Sequence, residues 1–245
     1  MSVGIIIPCY NEANRLNISS FEKCLKTYHD FQLCFVNDGS TDHTLDVLSN
    51  FQKEFENRVT VIDIKKNKGK AAAIRAGSRF LYSLKKVKYV GYLDADLSTD
   101  FEEFNELVEN LKLEKRLIMV FGSRDSDNNN NNIKRNKLRN FFSKVISSFI
   151  KLILKLPIKD TQCGAKVFRV KYIPIMYNSK FKSKWLFDIE LFLRLKIYFK
   201  NKKIMNYIKE YPLKNWVHVD DSKLGLKDSV QIPYKLAKIW FAYSF

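Results

Sequence analysis

Residues 89–96 read Tyr-Val-Gly-Tyr-Leu-Asp-Ala-Asp, a short apolar run that ends in two carboxylates separated by one residue. Such a run predicts a buried β-strand. Because side chains alternate along a strand, Ala95 faces away from Asp94 and Asp96, and both carboxylates can point into one crevice. Two like charges so close together favour a hard divalent cation, Mg²⁺ or Mn²⁺, bound jointly by carboxylates and substrate phosphate oxygens.

Short apolar runs alternate with helical patterns through the first half of the chain. Strands are predicted at 3–8, 33–37, 59–64, 89–93 and 117–122, and helices near 18–30, 42–56, 70–86 and 101–115. This order predicts an α/β fold with a mostly parallel central sheet flanked by helices. Ligands of such sheets bind at the carboxyl ends of the strands, so the polar segments that follow the first four strands are expected to line one crevice.

Three polar residues in these segments are placed to meet a nucleotide. Asp38 closes the second strand, where its carboxylate can accept hydrogen bonds from a nucleobase or ribose, and Glu12 can do likewise after the first. Lys70 stands at a predicted helix start, where free backbone N–H groups also favour phosphate, although a solvated surface lysine is the alternative. Other polar residues nearby are predicted helix caps, with a capping box at 100–103: Ser40, Thr41, Asp42 and Asp100.

Composition limits the function classes. The 245 residues are 46% hydrophobic, enough for the core of one domain, and 43 Lys+Arg against 26 Asp+Glu give a net charge of +17. That charge attracts phosphate, anionic lipid or nucleic acid. The four cysteines lack metal-ligand spacing, which favours buried free thiols and a reducing compartment. A noncatalytic basic lipid- or nucleic-acid-binding module remains a remote alternative, which the carboxylate pair and the lack of nucleic-acid motifs oppose.

Two amphipathic segments follow. Residues 139–156 predict a helix whose apolar face carries Phe142, Val145, Ile146, Phe149, Ile153 and Leu156, opposite several lysines. It either packs on the core or lies on a membrane surface. Residues 231–245 mix aromatic side chains with Lys235 and Lys238, which suits an interfacial anchor or a docked C-terminal helix. We therefore predict a main domain at 1–225 and a tail at 226–245.

Five segments together resemble the inverting family 2 glycosyltransferases of GT-A fold. They are 7–12 (Ile-Pro-Cys-Tyr-Asn-Glu), 36–42, 69–75, 93–97 and 122–124. Residues 160–168 (Asp-Thr-Gln-Cys-Gly-Ala-Lys-Val-Phe) and 185–191 resemble more narrowly the dolichyl-phosphate β-glucosyltransferase branch of the polyprenyl-phosphate sugar transferases, and Trp216 and 221–224 extend that match.

The resemblance implies roles for individual residues. The expected donor site comprises Pro8, Tyr10, Glu12, Asp38, Lys70, Asp94 and Gln162. The expected metal ligands are Asp94 and Asp96, and the expected acceptor-phosphate ligands are Arg124, Arg139 and Ser143. Asp188 joins Asp94, Asp96 and Arg124 as a catalytic candidate, while Glu190 suits a structural role.

The activity implied is inverting transfer of a hexose, glucose from UDP-glucose, onto dolichyl or undecaprenyl phosphate. A polyprenyl phosphate acceptor places the protein peripherally at the cytoplasmic face of a membrane, with no nucleic-acid partner. The alternative is transfer to a sugar hydroxyl in polysaccharide synthesis, which needs a carboxylate base such as Asp188.

Overall fold

A computed structural model describes residues 2–124, 146, 148–200, 203–217 and 231–243. Seven strands in the described chain form one sheet in the order β3-β2-β1-β4-β6-β5-β7. Their bounds are β1 Val3–Cys9, β2 Phe31–Asp38, β3 Val59–Ile64, β4 Tyr89–Tyr92, β5 Met119–Ser123, β6 Lys166–Arg169 and β7 Ile208–Pro212. All pairings are parallel except those of β6, which runs antiparallel to β4 and β5.

Helices cover both faces of this sheet. They are α1 Ile18–Thr27, α2 Thr44–Glu54, α3 Lys70–Leu84, α4 Phe101–Leu113, α5 at 148–154, α6 Ile173–Tyr177, α7 Phe187–Tyr198 and α8 Ile232–Tyr243. The mostly parallel α/β fold is confirmed, as are the first five strands and first four helices, with ends shifted by a few residues. The sequence did not indicate β6 and β7 as strands, since both are short and carry charged residues.

Alternating side chains of the central strands divide the core in two. On β1, Ile6 packs with α3, α7 and α8, whereas Ile5 and Ile7 pack with α1, α2 and α4 on the opposite face. Both faces of the sheet are therefore buried, as expected for a parallel sheet with crossover helices. Backbone geometry leaves only the strand ends for ligands, so the site must be built from loops.

The amphipathic helix predicted at 139–156 is described at 146 and 148–156. Residues 146 and 148–154 are helical, and the helix ends two residues before the predicted end. Ile150 and Leu154 are its buried residues, whereas Phe149 is 47% exposed. Phe149, which the sequence placed on the apolar face, is therefore not part of the packing on the core. The inward stripe follows Ile146, Ile150 and Ile153 at spacings of four and three, and Phe149 lies outside it.

The C-terminal helix α8 is docked on the core, one of the two interpretations of the tail, and its role as an interfacial anchor stays a prediction. Leu236 and Ile239 are buried against the core, and the Tyr243 hydroxyl donates to Glu190 Oε2 at 2.9 Å. Its outward side, in contrast, exposes Tyr234, Trp240 and Phe241. Among the described residues, no helix has the length and apolar character needed to cross a bilayer.

Candidate active site

Side-chain hydrogen bonds join the loop after β1 to the loop after β2. Asn11 N donates to Ser40 Oγ at 3.0 Å, and Thr41 N donates to Asn11 Oδ1 at 2.8 Å. Ser40 and Thr41 thus connect two loops, and their prediction as helix caps was wrong. Asp42 does serve the start of α2, because its Oδ1 accepts the Thr44 N–H at 3.0 Å. Tyr10 is therefore held at the carboxyl edge of the sheet.

The predicted donor ligands of these first two strands lie together. Pro8 of β1 pairs with Val36 of β2, two residues before Asp38, and Tyr10 follows β1 directly. The backbone N–H of Glu12 donates to Thr44 Oγ1 at 2.8 Å, which fixes the position of that residue beside the second loop. Their contacts with a nucleotide stay a prediction.

Asp38 organises the start of α3. Its two carboxylate oxygens accept the N–H groups of Lys68 at 2.9 Å and Gly69 at 2.6 Å. Gly69 has φ +92°, which disfavours any other residue, and a Cβ there would come within 2.9 Å of Lys184 Cβ. Asp38 thereby positions Lys70, the first residue of α3.

The helix terminus itself offers less to an anion than the sequence indicated. Gly69 N–H donates to Asp38, and Ala71 N–H donates to the Lys184 carbonyl at 3.2 Å. The expectation of free backbone N–H groups at this terminus was therefore wrong for both residues. The Lys70 ammonium is the cationic group at the first turn of α3.

Lys70 meets the carboxylate pair directly. Its Nζ lies 2.5 Å from Asp94 Oδ1, with both side chains partly exposed. Burial lowers the pKa of Lys70, but the neighbouring Asp94, Asp188 and Asp96 raise it by more, so the net shift of the pKa is upward. The ammonium therefore stays charged at neutral pH. Two loops distant in sequence thus meet in one crevice, as predicted, and the ion pair between them was not foreseen.

The donor atoms fit a divalent cation that shares its coordination with substrate. Within the described ranges, no group of three or more His, Cys, Asp or Glu side chains could hold a metal ion. Asp94 and Asp96 supply two carboxylates, and Asp96 Oδ1 already accepts the Ser98 N–H at 3.0 Å. Mg²⁺ and Mn²⁺ commonly take one or two carboxylates and complete their shell with substrate phosphate and water, so the pair suits them.

Gly164 forms one wall of this carboxylate site. A Cβ added there would lie 2.2 Å from Asp94 Oδ2 and 2.7 Å from its Cγ. Only a residue without a side chain allows the backbone to come so near. The 160–164 segment, which also carries the half-buried Gln162, therefore lies against the Asp94 carboxylate.

A fully buried lysine, Lys166, holds the 160–164 segment in place by binding its backbone carbonyls. Lys166 Nζ donates to the carbonyls of Thr161 at 3.1 Å and Cys163 at 2.7 Å, and lies 2.8 Å from Asp188 Oδ1. Three acceptors match the three protons of an ammonium. Sequence reasoning missed this residue, although a lysine within Ala165-Lys166-Val167-Phe168 was an available signal.

Asp188 lies in the first turn of α7, near Lys70 and the carboxylate pair. Besides Lys166, it accepts a short hydrogen bond from the Tyr92 hydroxyl. Burial and the adjacent Asp188 raise the pKa of Tyr92 well above its usual value, which keeps the phenol protonated as a donor. Asp188 is 4% exposed and holds two donors on one oxygen. These contacts suit an anchoring carboxylate.

Arg124, predicted to bind acceptor phosphate, is paired with Asp160. Its Nε lies 2.6 Å from Asp160 Oδ2 and its Nη2 lies 2.9 Å from Oδ1, a bidentate arrangement, while the guanidinium stands 5.7 Å from the centre of the Trp216 ring. Burial raises and Arg124 lowers the pKa of Asp160, and the net shift is downward. The charge of Arg124 is thus largely offset, and its acceptor contact stays a prediction.

Two buried glutamates hold the segments around the crevice. Asp100 is the N-cap of α4, as predicted, but Glu103 does not complete a capping box; its carboxylate accepts the N–H groups of Lys214 and Asn215. Glu190 accepts the N–H of Lys182 at 2.8 Å, which supports its expected structural role.

Several predicted residues lie outside the described part of the chain: Arg139, Ser143 and 221–224. The structure therefore brings together Lys70, Asp94, Asp96 and Asp188, with Asp38 and the Gln162 segment adjoining them. Sequence reasoning missed three residues that contact these groups. Tyr92 and Lys166 bind Asp188, and Gly164 lies beside Asp94.

Comparison with known proteins decides the family. The profile of "Glycosyl transferase family 2" matches residues 4–174, most of the chain and all four loops of the crevice. The chain belongs to glycosyl transferase family 2. Relatives within this family include dolichyl-phosphate β-glucosyltransferases. That of Dictyostelium discoideum is 29% identical, covering 98% of this chain and 74% of the relative. The Saccharomyces cerevisiae protein is 30% identical, covering 98% and 75%.

Solved structures support the same fold. Glucosyl-3-phosphoglycerate synthase of Mycobacterium tuberculosis, crystallised with Mn²⁺, UDP and glucosyl-3-phosphoglycerate, superposes with a TM-score of 0.68 at 14% identity, covering 98% of this chain and 80% of the other. The same enzyme with Mg²⁺ and UDP has a TM-score of 0.66 at 15% identity, covering 98% and 79%. The fold is thus of GT-A type, and the chain is a glycosyltransferase.

Proposed function

We propose that this family 2 enzyme transfers glucose from UDP-glucose, with inversion, to the phosphate of a polyprenyl phosphate, dolichyl or undecaprenyl. One observation carries the proposal: Lys70 and the Asp94/Asp96 pair meet at the carboxyl edge of the sheet, where a nucleotide diphosphate and a metal ion can share them. The named activity of the relatives supports glucose and the lipid phosphate.

The residues of the crevice divide the chemistry between them. Asp94 and Asp96 would hold Mg²⁺ or Mn²⁺, which when bound offsets charge on the departing diphosphate. Lys70 supplies a second cation for that charge, from a backbone position that Asp38 holds in place. The segment with Gln162 and Gly164 closes the site beside Asp94, where the sugar of the donor is expected.

The contacts of Asp188 favour a phosphate acceptor over a sugar hydroxyl. A phosphate is already ionised near neutral pH, so its attack on the anomeric carbon needs positioning and charge neutralisation rather than a base. A sugar hydroxyl requires a carboxylate that is free to take its proton. Asp188, the candidate base, is buried and already bound to Lys166 and Tyr92. Polysaccharide synthesis is therefore the less supported function.

The test is transfer of radiolabelled sugar into an organic-extractable fraction. Purified protein is incubated with dolichyl or undecaprenyl phosphate and either UDP-glucose or GDP-mannose, with Mn²⁺ or with EDTA, and Asp96→Asn serves as the control for contaminating activity. We expect counts in the organic phase from UDP-glucose only, abolished by EDTA and restored by excess Mn²⁺. Donor hydrolysis without labelled lipid would refute the acceptor and direct attention to soluble glycans.

We also propose that the enzyme works at a membrane surface through the outward face of α8, defined as Tyr234, Lys238, Trp240 and Phe241. The three aromatic side chains are 49–72% exposed on a helix that its inner face fixes to the core. Amphipathic aromatic rings beside lysine suit the boundary between headgroups and acyl chains. The net charge of +17 favours anionic lipid.

Replacing Trp240 and Phe241 together with alanine is expected to weaken binding to anionic vesicles about tenfold, because less apolar area enters the interface. Cosedimentation with phosphatidylcholine vesicles containing phosphatidylserine measures the effect. Leu113→Ala, which removes an 80% exposed side chain at the end of α4, is the matched control and should bind as the parent does. Equal binding by all three proteins would exclude α8 as the docking face.

A further inference from the structure

Lys70 and a divalent cation compete for the same carboxylate. The ammonium lies 2.5 Å from Asp94 Oδ1. Mg²⁺ coordinates carboxylate oxygen at about 2.1 Å, so an ion on that oxygen would stand close to the ammonium, and the two positive charges would repel each other. Gly164 crowds the side of Oδ2, where an added Cβ would be 2.2 Å away. Metal binding at Asp94 therefore favours movement of Lys70 away from the carboxylate.

The charges around Lys70 make this competition significant. Asp94, Asp96 and Asp188 are the carboxylates that act on Lys70, and Lys166 already pairs with Asp188. With Lys70 on Asp94, the ammonium offsets one of the two negative charges of Asp94 and Asp96, so an incoming metal meets a net charge of −1. With Lys70 withdrawn, the two carboxylates present a net charge of −2, and their attraction for a divalent cation is stronger.

A diphosphate gives the ammonium somewhere else to go. The backbone of Lys70 is fixed, since Gly69 N–H is bound by Asp38 and Ala71 N–H by the Lys184 carbonyl. Its side chain is a flexible four-carbon stem that is 21% exposed. A donor diphosphate beside Asp94 offers the ammonium a more highly charged partner and also supplies oxygens to the metal.

We propose that Lys70 makes the enzyme select the metal–donor complex over the free metal ion, by occupying Asp94 until a diphosphate draws it away. The inference rests on the proposed function, because it assumes the same donor and metal site. Lys70 thereby serves two successive partners, first the carboxylate and then the diphosphate. Metal and nucleotide are bound with positive coupling as a result.

A single substitution should change two affinities in opposite directions. Lys70→Met keeps an unbranched side chain but removes the ammonium. Without nucleotide, Mn²⁺ should bind the variant about tenfold more tightly, within the usual range of coupling between sites. With Mn²⁺ present, UDP should bind the variant more weakly than the parent protein, again by about tenfold. Electron paramagnetic resonance of free Mn²⁺ gives the first affinity, and calorimetry with UDP gives the second.

Lys68→Met is the matched control, because it removes the same charge from an exposed side chain two residues earlier while its backbone N–H still serves Asp38. Equal gains in Mn²⁺ affinity for both variants would attribute the effect to general charge and overturn the inference. So would unchanged Mn²⁺ affinity in Lys70→Met. If the parent binds no Mn²⁺ even with UDP, the proposed metal-dependent function fails as well.

Discussion

Gly164→Ala is expected to lower kcat/KM for glucosyl transfer by about a hundredfold or more, the usual consequence of displacing a reacting group by about 1 Å. The new methyl group would lie 2.2 Å from Asp94 Oδ2, so the carboxylate must turn away from the position in which it is proposed to bind the metal. Asp94 is partly exposed and can move, so the free energy of unfolding should change little. Steady-state kinetics, Mn²⁺ affinity and thermal melting measure the three quantities.

Gly122→Ala provides the control for crowding alone. A Cβ there would come within 2.9 Å of Cys163 Sγ and 3.0 Å of Leu213, and none of its three nearest atoms belongs to Asp94 or Asp96. We expect this variant to retain most of its Mn²⁺ affinity. A Gly164→Ala protein that binds Mn²⁺ as the parent does would contradict the role of Gly164 as a wall of the site.

The fold and the acidic pair could be predicted because both are local in sequence. Apolar runs separated by helical periodicity identified β1 to β5 and α1 to α4, and the position of Asp94 and Asp96 after β4 identified the crevice. Lys70 could be placed there too, since a parallel sheet brings its loops to one edge. These predictions need only the local patterns and the rule that parallel strands end at one edge of the sheet.

The supporting contacts could not be predicted, because they join residues far apart in the chain. The guanidinium of Arg124 is a group that suits phosphate, yet it is bound by the carboxylate of Asp160, 36 residues later. Glu103 resembled a capping residue, yet it binds backbone N–H groups 111 and 112 residues later. Such pairings depend on the order of strands in the sheet, which local patterns do not specify.

Lys166 shows the same limit and has the largest expected effect on stability. Lys166→Met should lower the free energy of unfolding by about 3–5 kcal/mol, since it leaves Asp188 buried without its cation. The loss includes the donors to the Thr161 and Cys163 carbonyls, which would remain inside the protein. Chemical denaturation followed by circular dichroism measures the difference.

Lys209→Met is the control from a partly exposed pair, in which the ammonium lies 2.8 Å from Glu114 Oε1. Its cost should be much smaller than that of Lys166→Met, because solvent screens such pairs. Adding Asp188→Asn to Lys166→Met should restore part of the stability by removing the uncompensated charge. If the two losses simply add, no coupling exists between Lys166 and Asp188. If the double variant recovers stability but its Mn²⁺ affinity stays below that of the parent, the lysine also holds the 160–164 segment against Asp94.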